Sequence, residues 1–153
     1  MREILQRGFT YIELLMVVGL TGIILSFGIV MNMDSIARAS VLQERDLFVS
    51  LLLSGARAKA LANAGNVSYG VHVDTTNHRY VLFEGEIFIE GTASNRITPF
   101  TSEHITITHS AAHENIIFER LSGSVSEGAG ILTISGNGKE QQITINDVGQ
   151  IDW

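Results

Sequence analysis

The sequence contains no cysteine among its 153 residues. A disulfide scaffold and a lipoprotein anchor both require cysteine, so both classes of protein are excluded. The chain is nevertheless long enough to form one domain with a buried core. The packing of apolar side chains must therefore hold that domain together.

Positive charge is also scarce, with 10 lysines and arginines against 16 aspartates and glutamates and a formal net charge of -6. Between Glu103 and Trp153 the only basic residues are Arg120 and Lys139. Proteins that bind nucleic acid through its phosphates present clustered basic side chains. The sequence therefore predicts no nucleic-acid partner and no general attraction to anionic membrane surfaces.

Groups that could catalyse a reaction or bind a metal are scattered along the chain. His104 and His109 are separated by an odd number of residues, so they face opposite sides of a regular strand. The three serines of residues 122–126 lack a G-x-S-x-G arrangement, and the glycine-rich loop 123–130, which we interpret as a hairpin loop, lacks the lysine of a phosphate-binding loop. We therefore expect no active site, no metal site, no cofactor and no enzymatic activity. The histidines are His72, His78, His104, His109 and His113.

An apolar run, GFTYIELLMVVGLTGIILSFGIVMNM, covers residues 8–33. Its uncharged part, from Leu14 to Met33, is long enough for about 30 Å of α-helix, which matches the core of a bilayer. Arg2 and Arg7 precede the run, and the positive-inside tendency places such an N-terminus in the cytoplasm. The sequence therefore predicts a single-pass protein of the cytoplasmic (inner) membrane, with the rest of the chain outside.

Glu13 is the one charged residue of this apolar run. A carboxylate in hydrocarbon costs about 2.5 to 3.5 kcal/mol and is usually retained where a partner or a function requires it. The alternative is that Glu13 lies close enough to the cytoplasmic end of the helix to reach the interface with its carboxylate.

The residues before the run do not fit an ordinary secretory signal, because no small-x-small cleavage site follows the apolar core. The leader MREILQRG, residues 1–8, ends in Gly8, where a protease can approach the backbone closely. Cleavage there leaves Phe9 as the new N-terminus. The stretch GFTYIE, with Gly8, Phe9 and Glu13, resembles the prepilin signal of the type IV pilins and pseudopilins.

This resemblance implies that a prepilin peptidase cleaves between Gly8 and Phe9 and N-methylates Phe9. It also implies that Glu13 pairs with the N-terminal amine of a neighbouring subunit during filament assembly. The chain departs from many major pilins in having Val30 where they have proline, and it lacks the cysteines of their C-terminal disulfide loop. Whether the helix kinks near Val30 is left open, since glycines such as Gly22 also loosen a helix.

From Asp34 onward the pattern becomes amphipathic, with apolar residues at spacings of three, four and seven. No proline interrupts Phe9 to Asn63, and Asn63 and Gly65 favour a helix end. One helix over this whole range is the simplest interpretation, and a separate helix beginning near Asp34 is the alternative. The apolar positions of the amphipathic part are Val41, Phe48, Val49, Leu52, Leu53, Ala56 and Ala60.

After residue 63 the period changes to two, which is typical of strands. We expect an α+β fold in which an antiparallel meander packs on the amphipathic half of the helix. The Asn137-Gly138 pair predicts a tight hairpin. The expected strands cover residues 67–73, 79–84, 86–90, 104–109, 115–119, 130–135 and 142–146.

This second region resembles the heads of GspH/FimT-type pseudopilins in FERLSG at residues 118–123 and ITINDVGQI at residues 143–151. Together the resemblances divide the chain into a leader (1–8), a membrane and assembly segment (9–33), an amphipathic helix (34–63) and a β head (64–153). The role of Trp153 is left open: the side chain packs under a sheet edge or makes an aromatic contact with a partner.

The two resemblances imply a minor pilin or pseudopilin, a structural subunit of a type II secretion pseudopilus or a type IV pilus-like filament. The implied partners are the prepilin peptidase, other pilin or pseudopilin subunits and the inner-membrane assembly platform. The subunit would leave the inner membrane for an envelope or cell-surface filament. The alternatives are a binding module at a filament tip, for adhesion, exported protein or DNA uptake, and a membrane-anchored exported enzyme.

Overall fold

The computed structural model describes residues 9–110 and 113–153, and for residues 27–34, 36 and 37 it describes the backbone alone. The chain divides into two compact units, one reaching Ile36 and the other running from Ala37 to Trp153. The predicted leader, residues 1–8, lies outside the described residues. The predicted segment boundaries after residues 33 and 63 stay predictions.

The long helical part of the described chain begins at Tyr11 and ends at Leu61, and a short 3-10 helix (Ala64–Asn66) follows it. The long part consists of α1 (Tyr11–Ser50), a π-helical segment (Leu51–Arg57) and α2 (Ala58–Leu61). Asp34 lies inside α1, so a new helix does not begin there. Asn63 and Gly65 have left-handed backbone angles, with φ of 53° and 61°, and these residues end the helix as predicted.

Nine strands follow in the described residues, and every pairing between them is antiparallel. They form a five-stranded sheet A in the order β3-β2-β1-β5-β6 and a four-stranded sheet B in the order β4-β7-β8-β9. The expectation of an antiparallel α+β fold is therefore confirmed. The strands are β1 (Tyr69–Asp74), β2 (Arg79–Glu84), β3 (Arg96–Pro99), β4 (Thr106–His109), β5 (Asn115–Phe118), β6 (Val125–Glu127), β7 (Gly130–Gly136), β8 (Lys139–Ile145) and β9 (Ile151–Asp152).

The expectation of one meander is wrong, because β5 leaves β4 and pairs with β1 of the other sheet. The expected strand at residues 86–90 is also wrong. Its central residue, Phe88, turns back to stack on His72 with the ring centroids 4.0 Å apart, so this stretch is a loop that covers sheet A. Sequence periodicity missed β3, β6 and β9, which have four, three and two residues.

The loop expected at residues 123–130 contains a strand. β6 lies within it and pairs with β5 at the edge of sheet A. The backbone N–H of Val125 also donates to the carbonyl of Asp147, which follows β8 of sheet B, at 2.9 Å. This hydrogen bond connects the edge of sheet A to the turn that follows β8 of sheet B. It satisfies a backbone N–H of the edge strand β6.

The predicted hairpin at Asn137-Gly138 is confirmed. It joins β7 to β8, and Gly136 pairs with Lys139 across it. Both central residues have positive φ, 50° for Asn137 and 74° for Gly138, as a type I′ turn requires.

The core of the second unit forms where the amphipathic helix face meets the sheets. Of the expected apolar helix residues, only Leu53 remains partly exposed. Phe48 stacks on Tyr80 of β2 with ring centroids 4.9 Å apart, and Phe100 packs against Tyr80 at 4.6 Å. The buried helix residues are Val41, Phe48, Val49, Leu52, Ala56 and Ala60.

The close packing of the Phe83 ring on sheet A requires a glycine at position 70 of β1. Gly70 pairs with Phe83 across the sheet, and the Phe83 ring lies over it. A Cβ at position 70 would stand 2.4 Å from Phe83 Cζ and 3.1 Å from the Ile116 carbonyl oxygen. The Phe83 side chain is itself 1% exposed, so it has no free space into which to move.

We expect Gly70→Ala to destabilise the second unit by about 1 to 3 kcal/mol, because the added methyl overpacks a filled site. Urea unfolding of the chain in neutral detergent, followed by fluorescence of Trp153, measures this. Gly55→Ala is the matched control: its Cβ would lie 3.5 Å from Leu82, an ordinary contact, on helical backbone where alanine is favoured. Equal stability of the Gly70 variant and the wild type would contradict the close packing of Phe83.

The β1–β2 turn is held by the Asp74 carboxylate. It accepts hydrogen bonds from the Asn77 backbone N–H at 3.0 Å, from Asn77 Nδ2 at 2.7 Å and from Arg79 Nε at 2.8 Å. Partial burial acts to raise the pKa of Asp74, but the hydrogen bonds from Asn77 and the Arg79 charge outweigh it. Together they lower the pKa from 3.8 to about 2.

Because the folded-state pKa of Asp74 is depressed, its contribution to stability is complete above about pH 4 and is lost as the pH falls through about 2. We expect Asp74→Asn to lower the free energy of unfolding at neutral pH by about 1 kcal/mol and to flatten its acid dependence in that window. Asp46→Asn is the control, since Asp46 is 64% exposed and pairs only at the surface with Arg45. An unchanged acid profile in the Asp74 variant would show that this carboxylate does not stabilise the turn.

Candidate functional site

The predicted assembly residues lie at the start of α1. Gly8 is outside the described residues, so the predicted cleavage site is not described. Phe9 is 82% exposed, and Glu13 is exposed in the first turn of the helix. A carboxylate at this position interacts favourably with the positive end of the helix dipole.

Thr10 caps this helix. The backbone N–H of Glu13 donates to the Thr10 carbonyl at 3.1 Å and to Thr10 Oγ1 at 3.4 Å, and the N–H of Leu14 donates to the same carbonyl at 3.2 Å. Threonine followed three residues later by glutamate is the capping-box pattern. This signal is readable in the sequence and was missed, and it offers a local structural reason for an acid at position 13.

Every described side chain from Phe9 to Ser26 is exposed. Two hydroxyls on this surface bond within the helix: Thr21 Oγ1 donates to the Val17 carbonyl at 2.7 Å, and Ser26 Oγ donates to the Gly22 carbonyl at 2.8 Å. A surface of this composition is stable only against lipid or against other apolar surfaces. Its large apolar residues are Phe9, Tyr11, Ile12, Leu14, Leu15, Met16, Val17, Val18, Leu20, Ile23, Ile24 and Leu25.

Two glycines shape this surface. A Cβ added at Gly19 or at Gly22 would meet no atom of the described chain within 4 Å apart from the two adjacent residues and the adjoining helix backbone. Small residues on an apolar helix allow a second backbone to approach closely. A search of the described residues finds no helix that is both long enough and apolar enough to cross a membrane. The predicted span, Leu14 to Met33, includes side chains outside the described residues and stays a prediction.

His72, His78 and His109 have local structural partners. His72 Nδ1 donates to Asn115 Oδ1 at 2.9 Å, and the His78 ring packs edge-on against Phe100. His109 Nε2 donates to the Gly128 carbonyl at 3.1 Å. Burial lowers the pKa of His109, against the opposing effect of that carbonyl. The structure thus uses these rings to join neighbouring strands and loops.

His109 and His113 approach each other, with ring centroids 6.0 Å apart, and His113 Nδ1 lies 3.6 Å from Glu127 Oε1. His104 is exposed at the turn before β4, with no part in this pair. No group of three or more potential ligands suited to a metal ion occurs in residues 9–110 and 113–153. The serines near residue 122 form an exposed chain in which Ser124 Oγ donates to Glu119 Oε2 at 2.8 Å.

Glu44 is the polar residue of the core that sequence reasoning missed. It is 0% exposed, and both carboxylate oxygens accept hydrogen bonds. Oε1 accepts from the Tyr80 hydroxyl at 2.6 Å, and Oε2 accepts from the backbone N–H and the hydroxyl of Thr101 at 2.7 and 2.5 Å. Burial, together with the Glu44 charge, raises the pKa of Tyr80, so this hydroxyl remains a donor.

These three bonds define how the helix meets the sheets. Tyr80 belongs to β2 of sheet A, and Thr101 lies in the connection from β3 to β4 of sheet B. A signal for Glu44 existed in the sequence, because it is three residues after Val41 and four before Phe48 and so shares their helix face. An acid on an apolar face is unusual unless it is paired or hydrogen-bonded.

Trp153 follows β9 and is 57% exposed. It therefore does not pack under a sheet edge, which was one of the two alternatives left open by the sequence. Asp152, next to it, pairs with Thr144 at the edge of sheet B. Trp153 therefore follows the last residue of β9 and does not fill a core site.

Solved structures share this arrangement of helix and sheets. The type IV minor pilin FimU of Pseudomonas aeruginosa aligns with a TM-score of 0.55 and 16% identity over 80% of this chain and 90% of FimU. The minor pseudopilin EpsH from the type II secretion system of Vibrio cholerae aligns with a TM-score of 0.51 and 14% identity over 76% of this chain and 96% of EpsH. The fold is that of minor pilins. The predicted resemblance of the head to pilins and pseudopilins is thus confirmed for the fold.

Comparison by sequence adds nothing to this, because no family model and no curated protein matches the chain. At 14 to 16% identity the structural likeness concerns the fold of the backbone.

The Glu44 network gives a direct test of the fold. We expect Glu44→Gln to lower the free energy of unfolding by about 1 to 3 kcal/mol, because an amide has one acceptor oxygen and leaves a buried donor unsatisfied. Tyr80→Phe should also cost about 1 to 3 kcal/mol, because it leaves the buried Oε1 of Glu44 without its donor. Urea unfolding in neutral detergent measures both changes. Glu103→Gln, at an exposed position, is the control. An equal loss of unfolding free energy in that variant would show that the change in net charge, and not the buried network, causes the effect.

Proposed function

We propose that the chain is a minor pilin or pseudopilin, a structural subunit of a type IV pilus-like or type II secretion filament. The observation that carries this proposal is the fully exposed apolar surface of residues 9–26 in a chain whose head has the minor-pilin fold. Such a surface needs a bilayer before assembly and neighbouring apolar helices afterwards. A filament subunit meets both needs.

The same proposal includes the processing of the N-terminus. A prepilin peptidase removes residues 1–8 by cleavage after Gly8 and methylates Phe9. The uncleaved chain is a single-pass protein of the inner membrane, with its N-terminus in the cytoplasm and its head outside. The support is the GFTYIE stretch and the apolar run that follows it.

Within the filament, Glu13 of one subunit pairs with the Phe9 amine of the next. The pair removes the cost of an isolated carboxylate in an apolar environment. An inner-membrane platform assembles the subunits, and the chain itself catalyses no reaction. This role for Glu13 competes with a local one, in which the glutamate side chain only completes a capping box with Thr10.

Glu13→Gln separates the two roles, because glutamine also satisfies a capping box but carries no charge. We expect the variant to insert into the membrane at least as well as the wild type and to enter filaments at least tenfold less. Cells carrying a complete pilus or secretion assembly machinery provide the assay. Recovery in sheared filaments is compared with the membrane level, and intact mass establishes whether the chain begins at methylated Phe9.

Thr21→Ala is the matched control in the same helix, since its hydroxyl bonds only to the Val17 carbonyl. It should leave both insertion and incorporation unchanged. Normal incorporation of the Glu13→Gln chain would assign Glu13 to helix capping and sink the pairing hypothesis. A chain that keeps Met1 in the presence of an active peptidase would overturn the proposed processing.

A further inference from the structure

A groove of about 700 Å³ opens on the head near the exit of the helix. It lies between the turn after α2, the loop from β2 to β3 and the loop from β5 to β6. No part of the proposed assembly surface, residues 9–26, contributes to it. Its principal lining residues are Glu84, Glu86, Ile87, Ile89, Glu119 and Arg120.

One wall of the groove is apolar and exposed. Ile87 is 76% exposed and Ile89 is 66% exposed, on either side of the inward-turned Phe88. Because Phe88 points inward, the isoleucines before and after it both lie on the surface at one site. Neighbouring large apolar side chains that face solvent at a groove are characteristic of an interaction surface.

The loop that carries these isoleucines is held firmly. Phe88 stacks on His72 and packs edge-on against Phe83 at 5.5 Å. The Ile89 carbonyl accepts hydrogen bonds from Thr92 Oγ1 at 2.9 Å and from Asn95 Nδ2 at 2.8 Å. The apolar wall is therefore formed before any partner binds, so binding loses little conformational entropy.

The other side of the groove is acidic. Glu84, Glu86 and Glu119 line it against one cation, Arg120. The Arg120 guanidinium is already engaged, because its Nη1 donates to the carbonyl oxygen and the side-chain oxygen of Asn66. The groove therefore combines an apolar wall with an excess of negative charge.

We propose that this groove binds a segment of another protein in which a lysine or arginine stands beside apolar side chains. The apolar residues contact Ile87 and Ile89, and the cation faces the carboxylates of Glu84 and Glu86. A second copy of this chain is a poor occupant, since each copy carries a net charge of -6. The proposal rests on the groove alone and does not depend on the proposed filament role.

The test uses the full chain in neutral detergent, with the isoleucine methyl groups labelled for NMR. The probe is the peptide acetyl-Leu-Lys-Val-Lys-Leu-amide, compared with the same peptide carrying glutamate in place of lysine. We expect the basic peptide to shift the methyl signals of Ile87 and Ile89 in a saturable way. The acidic peptide should bind at least tenfold more weakly, and added salt should weaken the basic peptide's binding.

Two variants locate the site. Ile87→Ser and Glu86→Lys should each weaken binding of the basic peptide by at least tenfold, and both positions are exposed, so the fold is retained. Ile131→Ser and Glu140→Lys are the matched controls on sheet B, where Ile131 is 42% exposed, and they should leave binding unchanged.

Three results overturn the proposal. They are an absence of Ile87 and Ile89 shifts at millimolar basic peptide, equal binding of the acidic peptide, and equal loss in the sheet B controls. Self-association in analytical ultracentrifugation that disappears in Ile87→Ser would assign the groove to a second copy instead. The NMR measurement reports only on the groove of the head. A negative result would therefore not contradict the filament proposal, and a loss of filament incorporation would not contradict the groove proposal.

Discussion

The buried carboxylate of Glu44 determines where the helix meets both sheets. Its two oxygens accept three hydrogen bonds, one from β2 and two from the connection that leads to sheet B. Moving the helix along the sheet would leave the buried Tyr80 hydroxyl and the buried carboxylate unsatisfied, which costs more than their hydrogen bond is worth when made. The apolar contacts of Phe48 with Tyr80 surround the same point and exclude water from it. Burial stabilises the head in general, while this network selects one alignment.

The two ends of the helical part meet different physical demands. From Val41 to Ala60 one face is buried against strands of the same chain, so the apolar stripe is satisfied internally. From Phe9 to Ser26 all described side chains are exposed, so the apolar surface has to be satisfied by something outside the chain. The hydroxyls of Thr10, Thr21 and Ser26 are already bonded within the helix. That contrast links the minor-pilin fold of the head to the role that we propose, in which the start of the helix finds its partners in lipid and in other subunits.

The elements that sequence reasoning placed correctly are those with strong local signals. Asn63 and Gly65 end the helix because they adopt left-handed angles easily, and Asn137-Gly138 closes the β7–β8 hairpin for the same reason. β2 was predicted with the bounds that the structure has, Arg79–Glu84. The stretch at residues 86–90 alternates as a strand does, yet Phe88 is drawn onto His72 and Phe83, so a tertiary contact decides its conformation. The capping box at Thr10 and Glu13 and the position of Glu44 on an apolar face were readable but were overlooked.

By itself, the sequence determined the helix with its apolar and amphipathic parts, the antiparallel strands with clear alternation, and the pilin-like N-terminal stretch, since each depends on residues close together in the chain. Only the tertiary structure decided that the strands form two sheets, that β6 meets the turn after β8, and that Glu44 finds Tyr80 and Thr101. It also brought Ile87, Glu86 and Glu119 to one groove. The hydrogen bond from Val125 to Asp147 joins residues 22 positions apart, and the bonds from Thr101 to Glu44 join residues 57 positions apart. No local preference specifies such contacts, because their free energy arises only when both partners lose water together in the folded chain.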